Sequence, residues 1–405
     1  MRIGRTIPPA AAPLGWADLC HAVVGAISPV RSLSALEREI GRHFGVRHVF
    51  LVSSGTAALT LTLKALKSMS HRTGVVIPAY TCFSVPAAVS QAGLRPVLCD
   101  IDPEAFDFDH RLLEEHLGAN TLCVLGHNLF GIPSDVERLR ALCAPRGIFV
   151  VEDAAQAMGT EDNGRAVGTR GDVGIFSLGR GKNITCGSGG IIVTSSDAMA
   201  TVLARQCRPL KTPGAAELLK EFVRLAFMAV FIRPGLYWLP AGLPFLRLGQ
   251  TVYPRQIRLR RLSGMQAGVL RGWRDHLARA NRVRSETGAY FTERLPLRPG
   301  HRSSHPYLRL PVFAASRRER DRIHAMSQAR GLGLGVAYPT PINEIPEIRF
   351  SAHGRRFPAA KTVAERLLTI PTHHWLSEDD KRAIAECMTG ATTASPGPCA
   401  PQEAS

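Results

Sequence analysis

Residues 151–190, VEDAAQAMGTEDNGRAVGTRGDVGIFSLGRGKNITCGSGG, decide the reading of this chain. Asp153 ends the apolar run 148–151, and Gln156 follows three residues later. A second apolar run, 173–178, carries Ser177 near its end, with Lys182 in the Gly-rich turn beyond it. Short apolar runs bounded by Gly-rich turns read as buried strands. One carboxylate, one hydroxyl and one lysine at neighbouring strand ends are the equipment for holding a cofactor that condenses with an amine.

Outward from this stretch, runs at 48–52, 74–78, 95–101, 121–127, 172–178 and 190–194 also read as strands. Helical segments at 55–66, 84–92, 107–117, 134–144 (with Ser134 as N-cap) and 197–207 alternate with them. Such alternation predicts an α/β domain with a mainly parallel sheet covered on both faces. The strands flanking the lysine turn are expected to be partly antiparallel. Before the first strand come a Pro/Ala-rich segment, 1–15, and two short helices, 16–27 and 34–44. After the sheet, 263–295 reads as one long amphipathic helix. It leads to a small α+β domain with strands at 305–312 and 333–338, helices at 319–331, 361–368 and 378–388, and an edge at 369–371. The expected division is a large domain over 1–260, a small one over 261–388 and an unstructured tail over 389–405.

The 405 residues are 45% hydrophobic and 20% charged, which excludes wholesale disorder. The net charge of +17 admits nucleic acid, an anionic membrane or an anionic substrate as partner. Its Arg excess is scattered through the second half without a nucleic-acid motif, so no nucleic-acid partner is expected. The nine cysteines show no CxxC pair and no zinc spacing, so they read as reduced thiols in a cytoplasmic protein with no metal site. The apolar stretch 222–248 is broken by Pro234, Pro240 and Pro244, and neither of its uncharged runs reaches the roughly 20 residues of a membrane span. It is read either as packing against a partner subunit or as peripheral contact with a membrane through its apolar side chains and arginines.

The turn Ser53-Ser54-Gly55-Thr56 lies between the first strand and its helix. It is either an anion site, with free N–H groups at the positive end of a helix, or an ordinary Ser N-cap. A phosphorylated aldehyde cofactor would use this turn for its phosphate, Lys182 for its aldehyde and Asp153 for its ring nitrogen.

With these residues in view, the chain resembles the DegT/DnrJ/StrS family of sugar aminotransferases, pyridoxal-phosphate enzymes of fold type I. The carrying segments are SSGTAAL at 53–59, PVLCDIDPEAFDFD at 96–109, HNLFGIPSD at 127–135, VEDAAQAMG at 151–159, FSLGRGKNITCGSGG at 176–190, LSGMQAGVLRGW at 262–273 and GLGLGVAYPTPI at 331–342. The resemblance implies a large domain with a mainly parallel seven-stranded sheet and a pyridoxal 5'-phosphate cofactor. It implies that Lys182 is catalytic and forms the Schiff base, Asp153 pairs with the pyridinium nitrogen and Gln156 meets the phenolic oxygen. Gly55, Thr56 and Ser177 then bind the phosphate. It further implies glutamate as amino donor, a nucleotide-linked keto-sugar as acceptor and a homodimer. A non-sugar ketone such as a cyclitol or aminobenzoate precursor is the alternative acceptor, and a non-catalytic regulatory relative the alternative role. Three positions depart from the family pattern: Cys82, beside Phe83, in the slot of the ring-stacking aromatic; Leu259-Arg260-Arg261 in place of Asn-x-Arg; and Ser188 in place of an acidic residue.

Overall fold

A computed structural model describes residues 2–246, 248–249, 251–296, 305–348 and 355–390. Helices α1 (Trp16–Ile27) and α2 (Pro29–Phe44) precede strand β1 (His48–Val52) and helix α3 (Gly55–Met69). Then follow β2 (Gly74–Pro78), α4 (Ser84–Gln91), β3 (Arg95–Cys99), α5 (His110–Glu115), β4 (Thr121–His127), α6 (Val136–Cys143), β5 (Phe149–Asp153), β6 (Val173–Ser177), β7 (Gly190–Thr194) and α7 (Asp197–Cys207). The seven strands form one sheet in the order β1-β7-β6-β5-β4-β2-β3. Strands β3, β2, β4, β5 and β6 run parallel. β7 is antiparallel to both β6 and β1.

Alternating side chains cover both faces. Val75, Ile77 and Leu125 point into one core with α3 and α4, while Val76, Val124 and Val150 point into another with α6. Phe176, Ile191 and Val193 meet the helices α1 and α2.

Beyond the sheet lie α8 (Ala215–Phe231), α9 (Pro234–Ala241), α10 (Gly264–Val269) and α11 (Trp273–Arg294). The last part holds β8 (Arg309–Phe313), α12 (Arg317–Arg330), α13 (Pro358–Arg366), β9 (Leu367–Pro371) and α14 (Glu378–Thr389), with β8 and β9 antiparallel. Leu310, Val312, Leu368 and Ile370 share a core with Phe291, Ile323 and Ile384.

Several sequence expectations are corrected. The long helix over 263–295 is two helices, because Gly272 adopts φ 73°, a left-handed turn that favours glycine. The segment 107–117 begins with a two-residue ladder, and α5 starts only after Asp109, whose carboxylate caps it. Helix α6 is capped by Asp135; Ser134 instead donates its hydroxyl to Asp107 Oδ1 at 2.8 Å. The segment 333–338 forms no strand: Gly333 has φ 75°, and a single bridge joins Gly335 to Thr369. Strand 95–101 stops at Cys99, α2 begins at Pro29, and strand 305–312 begins at Arg309. Helix 361–368 runs from Pro358 to Arg366 instead, so the edge at 369–371 is a full strand. The tail from 391 onward lies outside the described residues.

The described residues of the stretch 222–248 belong to a helical unit that starts at Ala215 and packs on its own chain. Leu225 and Ala229 are buried, and Leu225 lies against Gly187 of the lysine turn. Leu219, Val223 and Phe227, spaced four residues apart on α8, stay exposed. No single described helix is long and apolar enough to cross a membrane; the bent pair α1 and α2 passes by length and composition alone.

The N-terminal segment is a strap. Thr6 N–H donates to Pro234 C=O at 2.9 Å, Ile7 N–H donates to Gly331 C=O at 2.9 Å, and His373 Nε2 bonds Pro8 C=O at 2.8 Å.

Candidate active site

The carboxyl ends of parallel strands, together with the helix starts beside them, form the usual ligand crevice of an open α/β sheet. Here they line a cavity of ≈ 170 Å³ whose walls include Gly55, Thr56, Asp153, Gln156, Ser177 and Lys182. All six residues singled out from the sequence therefore meet in one place.

Ser54 caps α3 by accepting Ala57 N–H at 3.0 Å, and the helix ladder begins with Ala58 N–H donating to Ser54 C=O at 2.9 Å. The N–H groups of Gly55 and Thr56 have no acceptor among the described residues. The serine caps, as one reading of this turn expected, and the next two N–H groups are left available to an anion. Gly55 is required by crowding, since a Cβ there would lie 2.7 Å from Ser177 Cβ and 2.9 Å from its hydroxyl.

Asp153 ends β5 beside His127 of β4 and Ile175 of β6. One carboxylate oxygen accepts Ala155 N–H at 2.9 Å. Burial raises its pKa, opposed by that N–H and by the charges of Lys182 and His127. Burial also lowers the pKa of Lys182, helped by Arg309 and opposed by Cys82 and Asp153. A carboxylate short of partners and an amine driven toward its neutral form are what a protonated ring nitrogen and an aldehyde require. With the free N–H groups and the Gly55–Ser177 cradle, the donor set fits a phosphorylated pyridine aldehyde.

Gln156 has its amide fixed at both ends. Its Oε1 accepts Phe130 N–H at 3.2 Å, and its Nε2 donates to Tyr338 Oη at 2.9 Å. The departures noted in the sequence also find places. Cys82 lines the cavity, whereas Phe83 is buried against Tyr338. The Ser188 hydroxyl donates to Ser53 C=O at 2.6 Å, bracing the turn before α3. Arg260 pairs with Glu217 and accepts Ser53 N–H on its carbonyl, while Arg261 bridges to Val52. Gln256, Arg258 and Arg260 join Lys220 and Arg224 around a second cavity of ≈ 460 Å³ that shares Thr56 with the first.

Sequence reasoning missed three contributors. His127 lines the cavity with Nε2 on Phe106 C=O at 2.9 Å, so its Nδ1 accepts the Thr81 hydroxyl at 3.2 Å. Asn128 donates its side-chain amide to Asp153 C=O at 3.0 Å. The segment HNLFGIPSD drew notice for both residues but carried no role. Arg284 is the third, with no local signal at all. Its guanidinium donates to the carbonyls of Lys182 at 3.3 Å, Asn183 at 3.2 Å and Ala11 at 3.4 Å. Burial without a carboxylate pushes its pKa down to about 10.

The chain is 29% identical over 361 residues to a UDP-N-acetyl-3-dehydro-alpha-D-glucosamine 3-aminotransferase of Acidithiobacillus ferrooxidans, covering 87% of this chain and 86% of that protein. It is 26% identical to a pleiotropic regulatory protein of Geobacillus stearothermophilus, covering 87% of each. Among solved structures, Helicobacter pylori PseC, an aminotransferase of pseudoaminic acid biosynthesis, superposes with a TM-score of 0.75 at 16% identity, over 96% of this chain and 99% of that one. That likeness shows the fold. Residues 25–389 match the pattern of a whole enzyme family, and the cavity residues fall inside it; the chain belongs to the DegT/DnrJ/EryC1/StrS aminotransferase family.

Proposed function

We propose that this protein is a pyridoxal-phosphate aminotransferase that moves the amino group of glutamate to a keto-sugar carried on a nucleoside diphosphate. The observation that carries the reading is the convergence of Lys182, Asp153, Gln156, Ser177, Gly55 and Thr56 on one cavity. When bound, the cofactor supplies an aldehyde that condenses with amines and a ring that withdraws electrons from the adjacent carbon. Asp153 holds a proton at the ring nitrogen, a task suited to a carboxylate whose pKa burial has raised. The N–H groups of Gly55 and Thr56, with the Ser177 hydroxyl, bind the phosphate. Gln156, its amide oriented by Phe130 and Tyr338, reaches the phenolic oxygen. Lys182 holds the aldehyde carbon and afterwards moves a proton between substrate and cofactor as a neutral amine, the form that its burial favours.

The second cavity beside Thr56 supports a diphosphate-bearing acceptor, since Lys220, Arg224, Arg258 and Arg260 gather there and outnumber Glu217, which pairs with Arg260, and Glu221. The exposed stripe Leu219, Val223 and Phe227 supports cover by a second copy of the chain. Sedimentation with and without anionic vesicles separates that dimer from peripheral membrane contact.

The test is purified protein with glutamate and a panel of UDP-, GDP- and dTDP-linked keto-sugars. The expected result is a visible absorption band that glutamate bleaches and one keto-sugar nucleotide restores. A band restored only by a non-sugar ketone moves the acceptor to that class. No band at all removes the reading.

A further inference from the structure

The turn that carries Lys182 holds few bonds of its own. Glycines stand at 179, 181, 187, 189 and 190, and Gly181 and Gly187 take φ of 70° and 83°. A chain so rich in glycine has many accessible conformations and little preference among them. Lys182 N–H donates to Gly179 C=O at 3.3 Å, and Cys186 N–H donates to Leu178 C=O at 3.1 Å. The carbonyls of Lys182 and Asn183 accept nothing from the backbone of the described residues. Their donors come from one side chain, Arg284 of α11.

Arg284 is 1% exposed and stands outside the cavity wall. Its Nη2 donates to the carbonyls of Lys182, Asn183 and Ala11. Its Nη1 donates to Asn183 C=O at 3.2 Å and to Asn281 Oδ1 at 3.0 Å. Asn281 lies one turn earlier on the same helix, and its Nδ2 donates to Met158 C=O at 3.0 Å. Gly159 leaves room for that bond, since a Cβ there would stand 2.7 Å from Asn281 Nδ2. One face of α11 therefore grips both the segment after Asp153 and the turn with Lys182. The helix is itself anchored in two cores, through Trp273 and Leu277 beside Phe176 and through Phe291 beside Leu310.

Withdrawing a guanidinium from water to meet only neutral acceptors is costly. Its planar fork offers several donors at fixed angles, which a lysine ammonium does not. We infer that Arg284 is a positioning residue for Lys182. By holding two consecutive carbonyls, one of them on the Lys182 Cα, it sets the direction in which the amine leaves the turn for the cavity. The inference rests on the aminotransferase reading above. It also explains the strap: the same guanidinium holds Ala11, and a Cβ on Gly181 would stand 3.2 Å from Ala10 Cβ, so the N-terminal segment closes on the turn.

The experiment compares wild type, Arg284→Met, Arg284→Lys and Glu152→Ala, each stripped of cofactor and brought to equal folded concentration. The first readout is equilibrium binding of pyridoxine 5'-phosphate, which has an alcohol where the cofactor has its aldehyde and asks nothing of Lys182. The second is the rate at which the visible band forms with saturating pyridoxal phosphate. In that condensation Lys182 Nζ takes the place of the aldehyde oxygen, which leaves as water. Analogue affinity should stay within about twofold of wild type throughout, because its ligands lie on other elements. Band formation should fall about 100-fold in Arg284→Met, the scale of a misplaced reacting group. Arg284→Lys, which keeps a cation without the fork, should lose about tenfold. Glu152→Ala, destabilised on the other face of the sheet, should form the band at the wild-type rate. Rates within about twofold of wild type in both Arg284 variants would overturn the inference. So would analogue affinity falling in step with the rate, or the same rate loss in Glu152→Ala, since either marks a general loss of structure. Should Arg284→Met not fold, Arg284→Lys carries the comparison. All these outcomes leave the aminotransferase reading standing. A wild type that binds the analogue and forms no band sinks that reading, and the inference with it.

Discussion

Glu152 and Asp153 are consecutive carboxylates on one strand, and alternation sends them to opposite faces of the sheet. Glu152 is 0% exposed and fully partnered: Arg170 gives it Nε at 3.1 Å, Nη2 at 2.8 Å and its own backbone N–H at 2.8 Å. The same guanidinium reaches Asp162 at 2.7 Å and Ser134 C=O at 3.2 Å. Asp153 has one backbone N–H and a cavity. One side of the sheet shows charge used for structure, with both carboxylate oxygens answered. The other places Asp153 and Lys182 at a cavity, where burial raises the pKa of the first and lowers that of the second.

The sharpest way to break the contrast is to change one side and read both stability and activity. Lys182→Ala should abolish the visible band and lower transamination by at least about 10⁴-fold, the upper range for removing a group that moves the proton. The unfolding midpoint should hold or rise, because among the described residues the buried Lys182 side chain makes no hydrogen bond or ion pair. A midpoint that drops by several degrees would place Lys182 among structural residues.

On the opposite face Glu152→Ala strands Arg170 in the interior. Breaking a buried pair in this way costs about 3–5 kcal/mol. Urea unfolding should show that loss, while the band of the protein that remains folded should be unchanged. Replacing both partners together, Glu152→Met with Arg170→Met, should recover much of the loss. A pair of apolar side chains that restores nothing would mean that Asp162 and Ser134 carry the network.

Gly55→Ala tests the cradle between the two functions. Its Cβ would lie 2.7 Å from Ser177 Cβ, in contact with the next strand end. Overpacking of this kind costs about 1–3 kcal/mol. The loss should be larger in cofactor affinity, read by titrating the visible band, than in the unfolding midpoint. Ser177→Gly in the same chain should relieve the clash and yet fail to restore affinity, because the hydroxyl is gone.

Much of this architecture was legible because it is local. Apolar runs of five to seven residues with turn residues at both ends mark the strands, and the bounds of β1, β2, β4 and β7 came out residue for residue. Of the six cavity residues, Asp153 and Ser177 end apolar runs, and Lys182 and the Ser53–Thr56 turn follow such runs. The roles of Gln156, Gly55, Thr56 and Ser177 were legible only through the family resemblance. What was not legible is held by distance. Arg284 meets Ala11 across 273 residues, and His373 meets Pro8 across 365. No periodicity carries such pairings, so the N-terminal strap read as a loose Pro/Ala-rich segment and Arg284 as one more helix arginine. The break at Gly272 was hidden differently: the apolar pattern continues through it, and only the left-handed φ interrupts the helix. Likewise 333–338 has strand-like composition, but the glycines at 331 and 333 take positive φ and turn the chain before a ladder forms.

The smallest effect is the most discriminating, because its sign is opposite to that of an ordinary core mutation. Burial raises the pKa of Asp153 in the folded chain. Below the ordinary carboxylate pKa of about 3.9 both folded and unfolded states are protonated, and the residue costs nothing. As pH rises through that value the unfolded state ionises first, so stability is lost, and the loss is complete once the raised folded pKa is passed. Asp153→Asn removes the ionisation. The cofactor-free variant should therefore be more stable than cofactor-free wild type at neutral pH, by about 0.5–2 kcal/mol, and the gain should vanish as pH falls through the carboxylate range. Adding pyridoxal phosphate should reverse the order, since the ring nitrogen answers the carboxylate of the wild type and finds no anion in the variant. Chemical denaturation at several pH values, with and without cofactor, reads all of this. Glu152→Gln, on the satisfied face, should be destabilised in every one of those conditions, and a variant of Asp153 that behaved the same way would erase the distinction between the two faces.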